Sequence, residues 1–175
     1  YIFSGPRGTG KTSIAKIFSK AVNCLNTTDG DLCNNCENCL QNIDEEIDII
    51  EIDAASNNGV DEIREIRNNV KLMPVHLKYK VYIIDEVHML STSAFNALLK
   101  TLEEPPKHVI FILATTEFNK IPSTVISRCQ KFDFKKITIK QIEGRLKYIL
   151  EKENKTLNDD VISLIAKLSD GGLRD

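Results

Sequence analysis

Between the apolar tetrapeptide Tyr1–Ser4 and an amphipathic run that starts at Lys11, the segment Gly5-Pro6-Arg7-Gly8-Thr9-Gly10-Lys11-Thr12 fits G-x-x-x-x-G-K-[ST] at every position. In that context the pattern demands a strand, a tight glycine turn and a helix in succession. Glycines at 5, 8 and 10 let backbone N–H groups turn inward, so that they and the helix N-terminus surround phosphate oxygens. Lys11 then reaches the terminal phosphates and the Thr12 hydroxyl holds Mg²⁺. The bland alternative is a glycine-rich turn that only links strand to helix; motif and flanks together argue against it.

The remaining chain continues this alternation. Strand-length apolar runs at Tyr1–Ser4, Ile47–Asp53, Lys80–Asp85, Val109–Thr115 and Lys131–Phe134 alternate with helical patterns at about Lys11–Val22, Val60–Val70 and Thr92–Glu103. The expected fold is α/β, a parallel sheet flanked by helices, with strand interiors facing core on both sides. Phe95, Leu98, Leu99 and Leu102 make one helical stripe, which Pro105-Pro106 ends. After Lys136 the strand signal stops. Two helical patterns follow, one through Ile139, Ile142, Leu146, Ile149 and Leu150, the other through Leu157, Val161, Leu164, Ile165 and Leu168. Thr138 with Gln141 forms a capping-box signal before the first, and the polar stretch Glu151–Thr156 separates the pair. Residues 1–136 are therefore expected to form a core and 137–175 the start of a small helical domain. The chain opens at Tyr1 and stops within Gly171-Gly172-Leu173-Arg174-Asp175, and is expected to be a piece of a longer protein.

Val81-Tyr82-Ile83-Ile84-Asp85-Glu86 is an apolar strand that ends in two carboxylates. Ligands of such sheets bind outside the carboxyl ends of the strands, which puts both acids beside the phosphate loop. One carboxylate serves the metal and the second polarises water for attack on the γ-phosphate, so Asp85 is the expected Mg²⁺ ligand and Glu86 the expected base. Glu45-Glu46, Glu103-Glu104 and Asp159-Asp160 lack this placement and read as solvated faces or helix-end charges.

Asn23–Asp44 is polar and too long for an ordinary connection. It contains Cys24, Cys33, Cys36 and Cys39, spaced C-x8-C-x2-C-x2-C. Four thiolates fill the tetrahedron of a structural Zn²⁺, which contributes about 10–16 kcal/mol to small peptide folds and so orders a segment that has little to bury. An iron–sulfur site is the rival, although the fourth Cys-Pro of the ferredoxin run is missing; free or redox thiols are the third reading. Cys129 has no cysteine nearby and reads as a buried small hydrophobe. Thr115 and Thr116 end a strand, where a hydroxyl could sense the γ-phosphate, and Arg128 in Ser127-Arg128-Cys129 emerges near the nucleotide edge; by themselves these are weak signals. His76, His88 and His108 have no ligand spacing and read as surface or satisfied histidines.

Composition narrows the function classes. With 42% hydrophobic and 27% charged residues, the 175-residue chain can build a core with a small appendage, which excludes disordered and disulfide-scaffold classes. A net charge of −2 leaves no surplus to grip nucleic acid alone, so any such contact is local or shared with partners. No apolar run approaches the roughly 18–20 residues of a membrane span, and the expected location is the cytoplasm, without a membrane partner.

GPRGTGKT, YIIDEVHML, ATTE, SRC and GGLRD occur in the order found in the AAA+ ATPases of the clamp-loader group, and NALLKTLEEPP is typical of them. The cysteine insertion and EIDAASNNGVDEIR make the chain resemble, more narrowly, the gamma/tau family of bacterial DNA polymerase III. The resemblance covers essentially the whole chain. It implies Walker A at Gly5–Thr12, Walker B at Asp85 and Glu86, and sensor one at Thr116, with Thr115 the less favoured neighbour. It further implies an arginine finger at Arg128 acting in trans, sensor two at Arg174, and zinc on the four clustered cysteines. ATP, Mg²⁺ and structural Zn²⁺ are the implied cofactors. The implied partners are further gamma/tau copies, delta and delta-prime subunits, the sliding clamp and primed-template DNA held by the assembly. Two rivals remain within related machinery, a non-catalytic delta-prime-type subunit and another AAA+ DNA motor such as a branch-migration helicase; a pure metal or redox module is a third.

Overall fold

A computed structural model describes residues 1–174; Asp175, the end of the glycine-arginine motif, lies outside them. Five strands, β1 (Ile2–Ser4), β2 (Ile49–Asp53), β3 (Lys80–Asp85), β4 (Val109–Thr115) and β5 (Lys131–Asp133), form one parallel sheet in the order β2-β3-β4-β1-β5. The helices are α1 (Lys11–Asn23), α2 (Glu37–Leu40), α3 (Val60–Asn69), α4 (Thr92–Glu103), α5 (Ser123–Ile126), α6 (Ile139–Lys152) and α7 (Asp159–Leu168). Because β4 runs between β1 and β3, the β4 end stands between the phosphate loop and the acid pair.

Alternation along the central strands divides the core in two. Tyr82, Ile84 and Leu113 pack with Ile63, Phe95 and Leu98 under α3 and α4, while Phe3, Val81, Ile83 and Ile112 pack with Ala15 under α1. Each fully buried aliphatic side chain here stabilises by about 1.5–3 kcal/mol. The two edge strands depart from the expectation of two-sided burial. All three residues of β5 are exposed, and β2 is at most half-buried, because a strand with a neighbour on one side only is incompletely covered. Ile47, expected in β2, precedes it and is exposed.

Asp48, just before β2, is buried and accepts N–H bonds from Val75, His76 and Leu77 at 2.7–3.0 Å. Burial works to raise its carboxyl pKa, but the backbone N–H groups of Leu77, His76 and Val75 hold it below the ordinary range. The ionised side chain thereby fastens the segment before β3, which carries the acid pair. Its neighbour Glu46 is also buried, contrary to the solvated role expected for that acid pair.

α6 and α7 pack on each other, and their buried residues are Ile142 in α6 and Ile162 and Ala166 in α7. The expected capping box is present: the Gln141 N–H donates to Thr138 Oγ1, and the Thr138 N–H donates to Gln141 Oε1 at 3.0 Å. The turn after α7 returns to the phosphate loop, where the Leu173 N–H donates to the Gly8 carbonyl at 2.9 Å. Among the described residues no helix is long and apolar enough to cross a membrane.

Candidate nucleotide site and cysteine cluster

α4, α6 and α7 are capped by Ser91, Thr138 and Asn158, whereas no side chain caps α1 or α3, whose N-caps are Gly10 and Gly59, nor the short α2 and α5. The first-turn N–H groups of α1 are thus left for an anion, the arrangement that the phosphate-loop motif implies. Two glycines are required by close approach. A Cβ on Gly5, at φ +151°, would lie 2.2 Å from the Phe134 carbonyl oxygen, and one on Gly8, at φ +75°, would meet Gly172 Cα at 3.1 Å. Arg7 is exposed on the loop, and Thr9 closes it by donating to the Pro6 carbonyl at 2.8 Å.

Lys11 is buried, and its Nζ donates to the carbonyls of Gly5 and Pro6 at 2.9 and 2.8 Å. Burial lowers its pKa, opposed by the charges of Glu86 and Asp85. Thr12 Oγ1 donates to Asp85 Oδ2 at 2.6 Å, and the Glu86 N–H donates to Asp85 Oδ1 at 2.8 Å. Glu86 Oε2 in turn accepts from the Thr116 hydroxyl at 2.8 Å and from its N–H at 3.2 Å. Thr12, Asp85, Glu86 and Thr116 therefore form one bonded chain across the carboxyl edge of the sheet. Thr115 is buried and its side chain makes no direct hydrogen bond to any of these four; its hydroxyl accepts from the Glu117 N–H at 3.0 Å.

Arg128 and Arg174 are not joined to that chain. The Arg128 guanidinium, 33% exposed, donates to Glu103 Oε1 at 2.7 Å and to the Thr124 carbonyl at 2.5 Å. Glu103, the last residue of α4, is thus a salt-bridge partner as well as the helix-end charge that the sequence offered beside a solvated face. Arg174 is exposed, and its Cβ lies 3.7 Å from where a Cβ on Gly8 would be. A residue unmarked by any motif spacing joins the site instead: the His88 side chain, 6% exposed, lies with Nδ1 3.0 Å from Thr115 Oγ1 and Nε2 3.3 Å from Glu117 Oε1.

The four clustered cysteines converge. Their sulfurs all lie within 4.8 Å of one another, with Cys24–Cys36 at 3.9 Å and Cys33–Cys39 at 3.8 Å. A tetrahedron with Zn–S bonds of about 2.3 Å has S···S edges of about 3.8 Å, so the four-thiolate set fits zinc. The Leu25 backbone holds the Cys36 thiol down at about 6, while burial pushes Cys39 up to about 12. The cluster is tied to α1, since Lys20 Nζ donates to the Cys39 carbonyl at 2.9 Å and Asn38 Nδ2 to the Asn23 carbonyl at 2.7 Å. Cys129 stands apart and half-buried, and burial raises its pKa, as suits a small hydrophobe.

Residues 1–138 match the family model described as DNA polymerase III, delta subunit. The whole chain is 62% identical over 176 residues to the DNA polymerase III subunit tau of Bacillus subtilis, and spans 31% of that relative's length. Among solved structures, a Thermotoga maritima RuvB Holliday junction branch migration motor aligns with 99% of this chain and 50% of its own, at TM-score 0.68 and 20% identity. A DNA polymerase III gamma subunit-related protein from Thermotoga maritima covers 97% of this chain and 53% of its own, at TM-score 0.59 and 20% identity. At such identities these structures speak for the AAA+ fold alone.

Proposed function

The chain belongs to the DNA polymerase III subunit family, and from that premise we propose that it is the ATP-hydrolysing part of a gamma/tau-type motor in the replicative clamp loader. The observation that carries this is the bonded chain Thr12–Asp85–Glu86–Thr116 beside an uncapped α1 N-terminus. A non-catalytic subunit of delta-prime type needs neither Lys11 nor Glu86, and both are in place.

In this reading residues 1–136 are the nucleotide-binding core, with the zinc module at about 23–44, and 137–175 begin the lid. Gly5 to Thr12 bind the phosphates through backbone N–H groups, and Lys11 exchanges its two carbonyl partners for β- and γ-phosphate oxygens, a stronger charge-assisted contact. Thr12 and Asp85 would hold Mg²⁺, which when bound neutralises phosphate charge. Glu86 orients the attacking water and takes its proton, Thr116 ties Glu86 to the γ-phosphate region, and Arg174 contacts the same subunit's nucleotide from the lid. Arg128 serves the neighbouring subunit's nucleotide. Nucleotide bound at subunit interfaces then orders an assembly of gamma/tau copies with delta and delta-prime, which opens the sliding clamp around primed DNA in the cytoplasm.

The test is steady-state ATP hydrolysis by the full-length protein with its companion subunits. Clamp and primed DNA together should stimulate it severalfold. Indifference to both, with stimulation by a four-way junction, would favour the branch-migration reading and remove this one.

Zinc gives a separate expectation. Elemental analysis of the purified protein should find about one zinc per chain, and Cys36→Ser should weaken zinc affinity by about a hundredfold or more, since even outer-shell changes cost about 10–100-fold. Visible absorbance from iron would show the cluster to be iron–sulfur instead.

A further inference from the structure

His88 sits in the one-turn 3-10 helix Val87–Met89 that follows β3, and its ring bridges the ends of two neighbouring strands. Nδ1 lies 3.0 Å from Thr115 Oγ1 and 3.3 Å from Glu86 Oε2, and Nε2 lies 3.3 Å from Glu117 Oε1. Glu86 comes from the β3 end, Thr115 to Glu117 from the β4 end. The imidazole thus stands against the same Glu86 oxygen that Thr116 grips. A rigid ring wedged there limits where that carboxylate can swing, while Thr115, itself fixed by the Glu117 N–H, fixes the ring.

The backbone at Glu86 needs such support. With φ +45° and ψ +43° it is in the left-handed region, which costs a non-glycine residue about 1–3 kcal/mol and persists only when the surroundings over-determine it. The Met89 N–H bond to the Glu86 carbonyl at 2.8 Å closes the turn from one side. His88 closes it from the β4 side.

We propose that His88 is a positioning residue for ATP hydrolysis, locking Glu86 and the β4 end into one unit so that the carboxylate and Thr116 respond to nucleotide together. The proposal rests on Glu86 being the base of the reaction given above. It assigns His88 no contact with substrate. Its action is on turnover, because the ring stands against the Glu86 carboxylate while Lys11 bonds the Gly5 and Pro6 carbonyls and Thr12 bonds Asp85, neither of them His88.

The test compares His88→Leu, His88→Asn and His88→Gln in the full-length protein, assembled with its companion subunits, clamp and primed DNA. His88→Leu should lower kcat by about ten- to a hundredfold, the scale of a misplaced catalytic group, with KM for ATP nearly unchanged. Asparagine places its amide where Nδ1 stood and can still bond Thr115, so His88→Asn should recover most of the loss. Glutamine reaches toward Glu117 instead and should recover less. This ordering holds the proposal open to refutation even if the leucine variant folds poorly. Equal rates for Asn and Gln, or a raised KM with kcat intact, would overturn it. A wild-type assembly that hydrolyses ATP without response to clamp and DNA would instead sink the clamp-loader reading, whereas the kcat ordering tests the Glu86 chemistry alone.

Discussion

Arg128→Ala, introduced into every copy of the full-length protein in the assembled complex, is expected to lower clamp- and DNA-stimulated hydrolysis by about 10³–10⁵-fold, the range of a finger arginine supplied in trans. ATP binding by each subunit should persist. The guanidinium bonds Glu103 and the Thr124 carbonyl of its own chain, not the phosphate loop. An exposed pair of the Arg128–Glu103 kind contributes roughly 0–1 kcal/mol, so Glu103 does not prevent transfer of the guanidinium to a γ-phosphate brought up by a neighbour. Lysine should be a poor substitute, because the planar fork that now reaches Glu103 and the Thr124 carbonyl at once is lost. The decisive experiment mixes Arg128→Ala subunits with Lys11→Ala subunits. If the arginine acts in trans, mixed interfaces that pair an intact Lys11 site with an intact Arg128 restore part of the activity. If mixing restores nothing, and the isolated chain already loses its basal rate with Arg128→Ala, the residue works within its own subunit.

The parts of this site legible in the sequence are those whose chemistry is local. Gly5–Thr12 is contiguous, Asp85 and Glu86 end one apolar run, and the four cysteines fall within one insertion; each could be assigned a chemistry from spacing before any fold was known. The α/β pattern was legible for the same reason, since central strands such as β3 and β4 are continuous apolar runs. It failed at β5, where edge position and not composition decides exposure. The β4 residues were harder. Thr116 becomes a partner of Glu86 only because strand order puts β4 between β1 and β3, and that order is a long-range property. His88 shows the limit most clearly. Its neighbours Thr115 and Glu117 lie 27 and 29 positions away, and no helical or strand periodicity connects them. The tripeptide at Glu86–His88 gave a usable but unread signal: a histidine two residues past a carboxylate that ends a buried strand. Arg128 had only a weak placement signal after a short apolar segment and Arg174 none beyond family resemblance, since neither residue bonds any group of the Thr12–Asp85–Glu86–Thr116 chain.

Glu86→Gln separates chemistry from binding. It is expected to lower kcat by about 10²–10⁴-fold, the contribution of a positioned general base, while ATP and Mg²⁺ still bind. The substitution is nearly isosteric, and the amide oxygen can still accept from the Thr116 hydroxyl and N–H, so the left-handed turn and the β4 contact survive. What disappears is the charge. The ionised Glu86 acts to raise the Lys11 pKa against burial, and its removal relieves a repulsion that any polyphosphate must otherwise meet in this cleft. Nucleotide affinity should therefore hold or tighten as turnover falls. Asp85→Asn should behave in the opposite sense, losing Mg²⁺-dependent affinity first, because Asp85 is the partner of the Thr12 hydroxyl. A competing carboxylate at the β4 end is Glu117, which hydrogen bonding from Lys120 keeps easily ionised and which is half exposed beside the His88 ring. If Glu86→Gln hydrolyses ATP at close to the wild-type rate while Glu117→Gln does not, the base has been misassigned by one strand end. Retention of tight, Mg²⁺-dependent binding with turnover lost in Glu86→Gln alone places proton abstraction at the end of β3.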